Sequence, residues 1–99
     1  MTVLVTMKVE ADTDQFRRFL AQDPERLQEF AASAQAAGAI HHRFGLGDGY
    51  FVVVDEWDSV ESFQNFMGRD EITAILRDTG ARSAPEIDIT QVVVSPDQL

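Results

Sequence analysis

The sequence predicts a small α+β domain in which a four-stranded antiparallel sheet carries helices on one face. Three observations predict this class. Of four predicted strand segments, the first and the last alternate along their length, and the longer segments between strands repeat apolar residues at helical spacing. The resulting order is βαββαβ, and two strand–helix–strand units of this kind form the ferredoxin-like arrangement. Because 99 residues provide material for one core, we expect residues 1–99 to form a single domain.

The boundaries of these elements follow from capping residues. In chain order we predict a strand at 2–10, helices at about 13–22 and 24–37, strands at 39–44 and 50–57, helices from Ser59 and from Asp70 to Gly80, and a strand at 86–94. Asp12 can cap the first helix and Asp23 the second, where Pro24 suits the first helical position. Gly38 ends the second helix, because glycine readily adopts the left-handed backbone of a helix end. Gly68 interrupts the helical region that begins at Ser59.

The glycine-rich segment 45–49 joins strands two and three. Its glycines can supply the positive φ angles that a hairpin turn requires. A phosphate-binding loop also contains such glycines, but here no helix follows and Asp48 would repel phosphate. We therefore predict a plain hairpin, and we expect residues 95–99 to form a frayed tail.

The strand sequences predict that the face of the sheet opposite the helices, the open face, is also covered. Strand three has Phe51 and Val53 on one face and Val52 and Val54 on the other, and strand four likewise carries apolar residues at both parities. A sheet with one face in water would not require this pattern. We predict a homodimer in which two sheets face each other and form a dimeric α+β barrel.

Composition limits the other partners. The net charge is −9, from 17 acidic and 8 basic residues, so nucleic acid and anionic membrane surfaces would be repelled. The chain has no cysteine, no apolar stretch long enough to span a bilayer and no signal-like N-terminal segment. These features favour a cytoplasmic protein that binds neither nucleic acid nor membranes.

Two runs of sequence resemble a known group. Val54-Asp-Glu-Trp-Asp-Ser-Val-Glu-Ser-Phe63 looks like a third strand that ends in an acid and a tryptophan before a helix opened by serine. Together with the element order and the run Gly38-Ala-Ile-His-His-Arg-Phe44, it resembles the antibiotic-biosynthesis-monooxygenase-like superfamily of dimeric α+β barrels. The likeness is greatest to small actinobacterial members of undefined function.

The resemblance implies several activities and argues against one cofactor. The superfamily includes cofactor-independent quinone-forming monooxygenases, haem-degrading enzymes and polyketide cyclases. Its haem-degrading branch has an asparagine on strand one, a tryptophan at the end of strand three and a histidine on the next helix. Trp57 matches the tryptophan, but strand one offers Met7, and residues 59–79 contain no histidine. No metal-ligand spacing occurs either. We expect no cofactor.

The two histidines are the first candidates for chemistry. His41 and His42 are neighbours on a strand and must point to opposite faces. His42 shares its parity with Ile40 and Phe44 and is expected to face the helices, whereas His41 is expected to face the partner subunit. His42 is then either an acid–base group in a pocket or a core imidazole hydrogen-bonded to its surroundings.

The hairpin register decides which acid accompanies His42. An odd turn aligns it with Tyr50, Val52, Val54 and Glu56, and an even turn with Phe51, Val53, Asp55 and Trp57. The resemblance favours the second, with Trp57 in the pocket. Asp55 would then hold the tautomer of His42; the alternative is a carboxylate paired with Arg43 or Arg82.

Other residues are candidates for substrate contact. Asn65 could hydrogen-bond a substrate oxygen, or it could be a solvated helix residue, and Tyr50 could serve in the same way. Five phenylalanines at helical spacing could line an aromatic pocket or form plain core: Phe16, Phe19, Phe30, Phe63 and Phe66.

Two functions follow as hypotheses. The first is a cofactor-independent monooxygenase or cyclase that acts on an aromatic or polyketide-like molecule, with His42 as the base. The second is a non-catalytic binding or accessory domain of the same fold.

Overall fold

The computed structural model describes residues 1–99 and confirms the order βαββαβ. The elements are β1 (Val3–Glu10), α1 (Thr13–Gln22), α2 (Pro24–Ala37), β2 (Ala39–Leu46), β3 (Tyr50–Trp57), α3 (Val60–Met67), α4 (Asp70–Asp78) and β4 (Glu86–Gln91). The four strands form one antiparallel sheet in the order β2-β3-β1-β4. None of the helices has the length and apolar character needed to cross a membrane.

The helices cover one face of the sheet. Along β1 the predicted face is buried at every second residue, and the intervening residues are exposed. The core between sheet and helices is aromatic, with the ring of Phe16 on α1 stacked on that of Phe51 on β3 at a centroid distance of 4.2 Å. Both side chains are almost fully buried, and each contributes about 1.5–3 kcal/mol through the hydrophobic effect.

The helix starts and ends follow the predicted caps, with one exception. Asp12 accepts from two backbone N–H groups of α1, and Asp23 and Ser59 each accept from one at the start of α2 and α3. Asp70 does not cap α4, contrary to our prediction. The carbonyl of Arg69 accepts the first bonds of that helix, so Arg69 takes the cap position and Asp70 becomes the first helical residue. Its carboxylate still suits the positive end of the helix dipole.

Three strand boundaries also differ from prediction. β1 begins at Val3, one residue later than predicted. β2 continues to Leu46, because Gly45 is paired with Val52 inside the sheet instead of belonging to the turn. Of the hairpin glycines only Gly49 has a positive φ, of 79°. β4 ends at Gln91, opposite Val3, and beyond it one backbone bond, from Val92 N–H to the carbonyl of Thr2, continues the contact with β1.

Candidate functional site

The β2–β3 hairpin has the even register. His42 lies opposite Asp55, and Phe44 lies opposite Val53, so both pairs share the helix-covered face. The register shifts between Ala39 and His41, which makes Ile40 the extra residue of a bulge. Ile40 is 45% exposed, so our expectation that it would share the buried face of His42 is corrected.

Asp55 joins His42 and Trp57 in one hydrogen-bonded network. Its Oδ1 lies 2.7 Å from His42 Nδ1, and its Oδ2 accepts from Trp57 Nε1 at 3.1 Å. A carboxylate only accepts, so the bonded Nδ1 carries a proton, and in the neutral imidazole Nε2 carries the lone pair. Asp55 is only 6% exposed, and both its oxygens are used within the network. The alternative pairing with Arg43 or Arg82 does not occur; Arg82 instead lies 3.9 Å from Asp12.

The network lines a narrow apolar cavity of about 50 Å³ between the sheet and the helices. The residues around it are Met7, Phe30, Ala34, Ala39, His42, Phe44, Phe51, Val53, Asp55, Trp57, Phe66, Met67, Ile75, Leu76 and Thr79. Only three of their side chains are polar. Thr79 donates its hydroxyl to the carbonyl of Leu76 at 2.6 Å, and Asp55 is fully engaged. Two side-chain acceptors of this lining have no partner within the protein: the lone pairs of the Thr79 hydroxyl and His42 Nε2. Of these two, the imidazole nitrogen is the one suited to take a proton.

The size of the cavity limits what it holds without movement. A volume of about 50 Å³ accommodates water but is well below the ~300–1,000 Å³ of pockets for drug-sized ligands. His42 is the partly open point of the network, with 25% of its side chain exposed. An aromatic ligand would therefore require a neighbouring side chain or helix to shift.

Two predicted contact residues lie outside this cavity. Asn65 is exposed on α3, because Phe63 and Phe66 occupy the buried side of that short helix. Tyr50 has the opposite strand parity from Asp55 and lies beside Glu10, with Lys8 Nζ 4.4 Å from its ring centre. Asn65 therefore agrees with its second alternative, the solvated helix residue, and the suggestion that Tyr50 could contact a substrate in this cavity is corrected.

The aromatic lining was predicted in part. Phe30 and Phe66 line the cavity, while Phe16, Phe19 and Phe63 belong to the remaining core. Sequence reasoning missed Thr79. Its spacing of seven residues from Ile72 would have placed it on the buried stripe of α4.

No protein-family model matches this chain, and no curated protein matches it in sequence. Solved structures do match its fold. An antibiotic biosynthesis monooxygenase from Bordetella bronchiseptica, described as putative, superimposes with a TM-score of 0.71 at 11% identity, over 94% of this chain and 98% of that one. A second such protein, from Caulobacter crescentus, gives 0.69 at 16% identity, over 94% and 91%.

A third solved structure has a described activity. It is a variant of SnoaB, a cofactor-independent oxygenase from Streptomyces nogalater, with a TM-score of 0.63 at 10% identity over 98% of both chains. At identities this low, the similarity shows a shared fold and not a shared reaction. The chain therefore has the α+β fold of the antibiotic biosynthesis monooxygenases.

Proposed function

We propose that this protein binds a small hydrophobic, aromatic or polyketide-like molecule next to His42, and that His42 removes a proton from it. One observation carries the proposal: His42, whose Nε2 has no partner within the protein, borders a cavity that is otherwise apolar apart from the hydrogen-bonded Asp55 and Thr79. A hydroxyl group or an acidic C–H group of an apolar ligand would meet one basic acceptor there. The reaction class is that of a cofactor-independent monooxygenase or cyclase.

The network prepares His42 for this step. Asp55 holds the proton on Nδ1, so Nε2 is available to accept the substrate proton. The imidazolium that forms is stabilised by the Asp55 carboxylate at 2.7 Å, and Trp57 fixes the position of that carboxylate. Asp55 and Trp57 therefore act as positioning residues.

The deprotonated substrate has two possible fates. In a monooxygenase, the electron-rich phenolate reduces dioxygen; one oxygen atom enters the ring, the other leaves as water, and the phenol becomes a quinone. In a cyclase, the carbanion attacks a carbonyl carbon of the same molecule, and no oxidant is consumed. Oxygen uptake distinguishes the two reactions.

The test compares two adjacent histidines. Wild-type protein, His42→Ala and His41→Ala are incubated with anthrone and with 1-naphthol, while dissolved oxygen, quinone absorbance and product mass are followed. Loss of the base should lower turnover about 10²–10⁴-fold in His42→Ala. His41 has the opposite parity and lies across from Glu56, so His41→Ala should retain activity. Equal activity of wild type and His42→Ala would contradict the proposal.

A non-catalytic binding role is the second candidate. It is favoured by the side-chain donors of the cavity lining: Thr79 and Trp57 already donate within the protein, whereas a developing negative charge on the substrate would need a free donor. Binding of 1-naphthol to wild type, measured by calorimetry, without turnover of any test compound would support this role.

We further propose that the protein is a homodimer that pairs the open faces of two sheets. Leu4 and Val54 lie on that face and are 40% and 45% exposed, and Val52, two residues from Val54 on the same face, is half buried. A second copy of the same face would remove these side chains from water.

A further inference from the structure

A groove of about 340 Å³ lies on the helical side of the molecule, outside the cavity. It runs between α2 and the pair α3–α4, and polar side chains of α2 and α4 form part of its lining. Three residues border both the groove and the cavity: Phe30, Phe66 and Ile75. These side chains are therefore the wall that separates the space next to His42 from the open groove.

Phe30 is a half-buried part of this wall that lies next to His42. Phe66 is almost fully buried and packs on Trp57 at a centroid distance of 5.3 Å, so it belongs to the core. Phe30 is only half buried; its ring lies 5.6 Å from the ring of His42 on one side and 5.6 Å from Phe66 on another. The helix that carries it buries a single residue, Ala34, among its 14. A helix with so few buried contacts can move locally.

We infer that ligands reach His42 from the groove between α2 and α3–α4, and that Phe30 limits the length of ligand that fits. This inference rests on the proposed binding role of the cavity. The cavity alone has room for a small group, whereas the volumes of the cavity and the groove together fall in the lower part of the range of known ligand pockets. A ligand with its hydroxyl on His42 Nε2 would extend past Phe30 into the groove.

An access path along the edge of the sheet is the competing route. Phe44 on β2 also lines the cavity and is 36% exposed, but it does not border the groove. Its ring contacts those of His42 and Phe16, with centroid distances of 4.8 and 5.3 Å. Phe44→Ala is thus the matched control for Phe30→Ala, since both remove one partly exposed phenyl ring from the same cavity.

The experiment measures a graded series of probes: phenol, 1-naphthol and 1-anthrol. Dissociation constants come from calorimetry, and association rates come from stopped-flow quenching of Trp57, which is the single tryptophan of the chain and lines the cavity. Phe30→Ala should bind 1-anthrol at least about tenfold more tightly than wild type does. Its association rate for phenol should increase, because entry no longer depends on movement of the Phe30 ring.

The controls separate the possible failures. Phe30→Leu, which keeps a branched apolar side chain, replaces Phe30→Ala if circular dichroism shows that the alanine variant is unfolded. If Phe44→Ala instead of the Phe30 variants accelerates association and admits 1-anthrol, the access route is wrong, although the binding site stands. If wild type binds none of the three probes, the proposed function fails and this inference fails with it.

Discussion

At the scale of single residues, one carboxylate determines the chemistry of the candidate site. Asp55 satisfies a tryptophan N–H with one oxygen and a histidine N–H with the other. Buried polar groups are expensive unless they are hydrogen-bonded, and no buried side-chain nitrogen or oxygen of this protein lacks a partner. The same arrangement that satisfies Asp55 also fixes which nitrogen of His42 carries the proton.

Asp55→Asn should reverse the tautomer of His42. The amide oxygen would keep the bond from Trp57 Nε1–H, which leaves the NH₂ group to donate to His42 Nδ1. The proton of the neutral imidazole must then sit on Nε2, so the nitrogen available to a ligand becomes a donor. Nitrogen-15 NMR of the imidazole, at a pH where the ring is neutral, should show the change, and proton abstraction should be lost.

Glu56→Gln is the control for this substitution. It changes the neighbouring acid in the same way, but Glu56 lies on the opposite face of the sheet, across from His41. It should leave the tautomer of His42 and any turnover unchanged. A wild-type tautomer in Asp55→Asn would mean that Asp55 does not hold the proton on Nδ1.

At the scale of elements, the cap of α1 gives the protein a pH-dependent contribution to stability. The pKa of Asp12 is held below its ordinary value of 3.8 chiefly by the hydrogen bond from Gln15 N–H. Desolvation opposes this effect and is the second-largest influence; the N–H of Asp14 and the charges of Arg82 and Arg18 lower the pKa further by smaller amounts. A lowered folded-state pKa stabilises the fold above pH 3.8, and this contribution disappears as the pH falls through the folded-state value.

Asp12→Asn should therefore lower the melting temperature at neutral pH. In acid the variant and the wild type should have equal melting temperatures. Asparagine still caps the helix but has no charge, so the difference isolates the carboxylate. Asp12→Ala should melt lower than Asp12→Asn at every pH. The control is Asp14→Asn, which removes a charge from the same turn without removing the cap. Thermal melts at a series of pH values check these expectations, and a constant gap between wild type and Asp12→Asn would contradict them.

Two glycines that look equivalent in sequence should respond oppositely to alanine. Gly49 has a φ of +79°, so Gly49→Ala should destabilise the hairpin by about 1 kcal/mol although the added methyl group meets no other atom. Gly68 has a φ of −79°, and an added methyl group would meet only atoms at ordinary contact distance. Gly68→Ala should stabilise the protein by about 0.4–1 kcal/mol, because it restricts the unfolded chain. Urea unfolding measures the change in the free energy of unfolding for each variant. Changes of the same sign would contradict this prediction.

Local residues predicted the helices well because caps act within a few positions. Asp12, Asp23 and Ser59 satisfy amide groups two or three residues away, so their role is visible in the sequence. Strand ends depend on distant partners: the pairing of β4 with β1 ends at Gln91, opposite Val3, and Gly45 joins β2 because it lies opposite Val52. Local composition contains neither fact.

The members of the candidate site could be predicted from the sequence except where strand register or helix packing determines them. Strand parity separated His41 from His42, but the choice between Asp55 and Glu56 required the length of the turn. The solvent exposure of Asn65 depends on which side of α3 packs on the sheet. The cavity, with Phe30 and Thr79 in its wall, results from how helices from both halves of the chain meet, and a single segment does not encode it.

At the scale of the whole molecule, the open sheet face sets the expected assembly. If two such faces pair, a charge at their centre would be buried against its symmetry mate. Val54→Lys should therefore convert the dimer to a monomer, as measured by size-exclusion chromatography with light scattering. Leu46→Lys is the control, because Leu46 is 38% exposed but has the parity of the helix-covered face. Both variants gain the same charge, so a difference between them reports position and not net charge.

Added salt should strengthen the proposed wild-type dimer, whereas it would weaken a dimer held by a specific ion pair. Each chain carries a net charge of −9, so two chains repel each other at low ionic strength. Added salt screens this repulsion and leaves the burial of Leu4 and Val54 intact, so the dimer dissociation constant should fall as salt rises. Sedimentation equilibrium across a salt series measures the trend. A wild-type monomer at micromolar concentration in high salt, or dissociation of Leu46→Lys to the same extent as Val54→Lys, would mean that the open face is not the dimer interface.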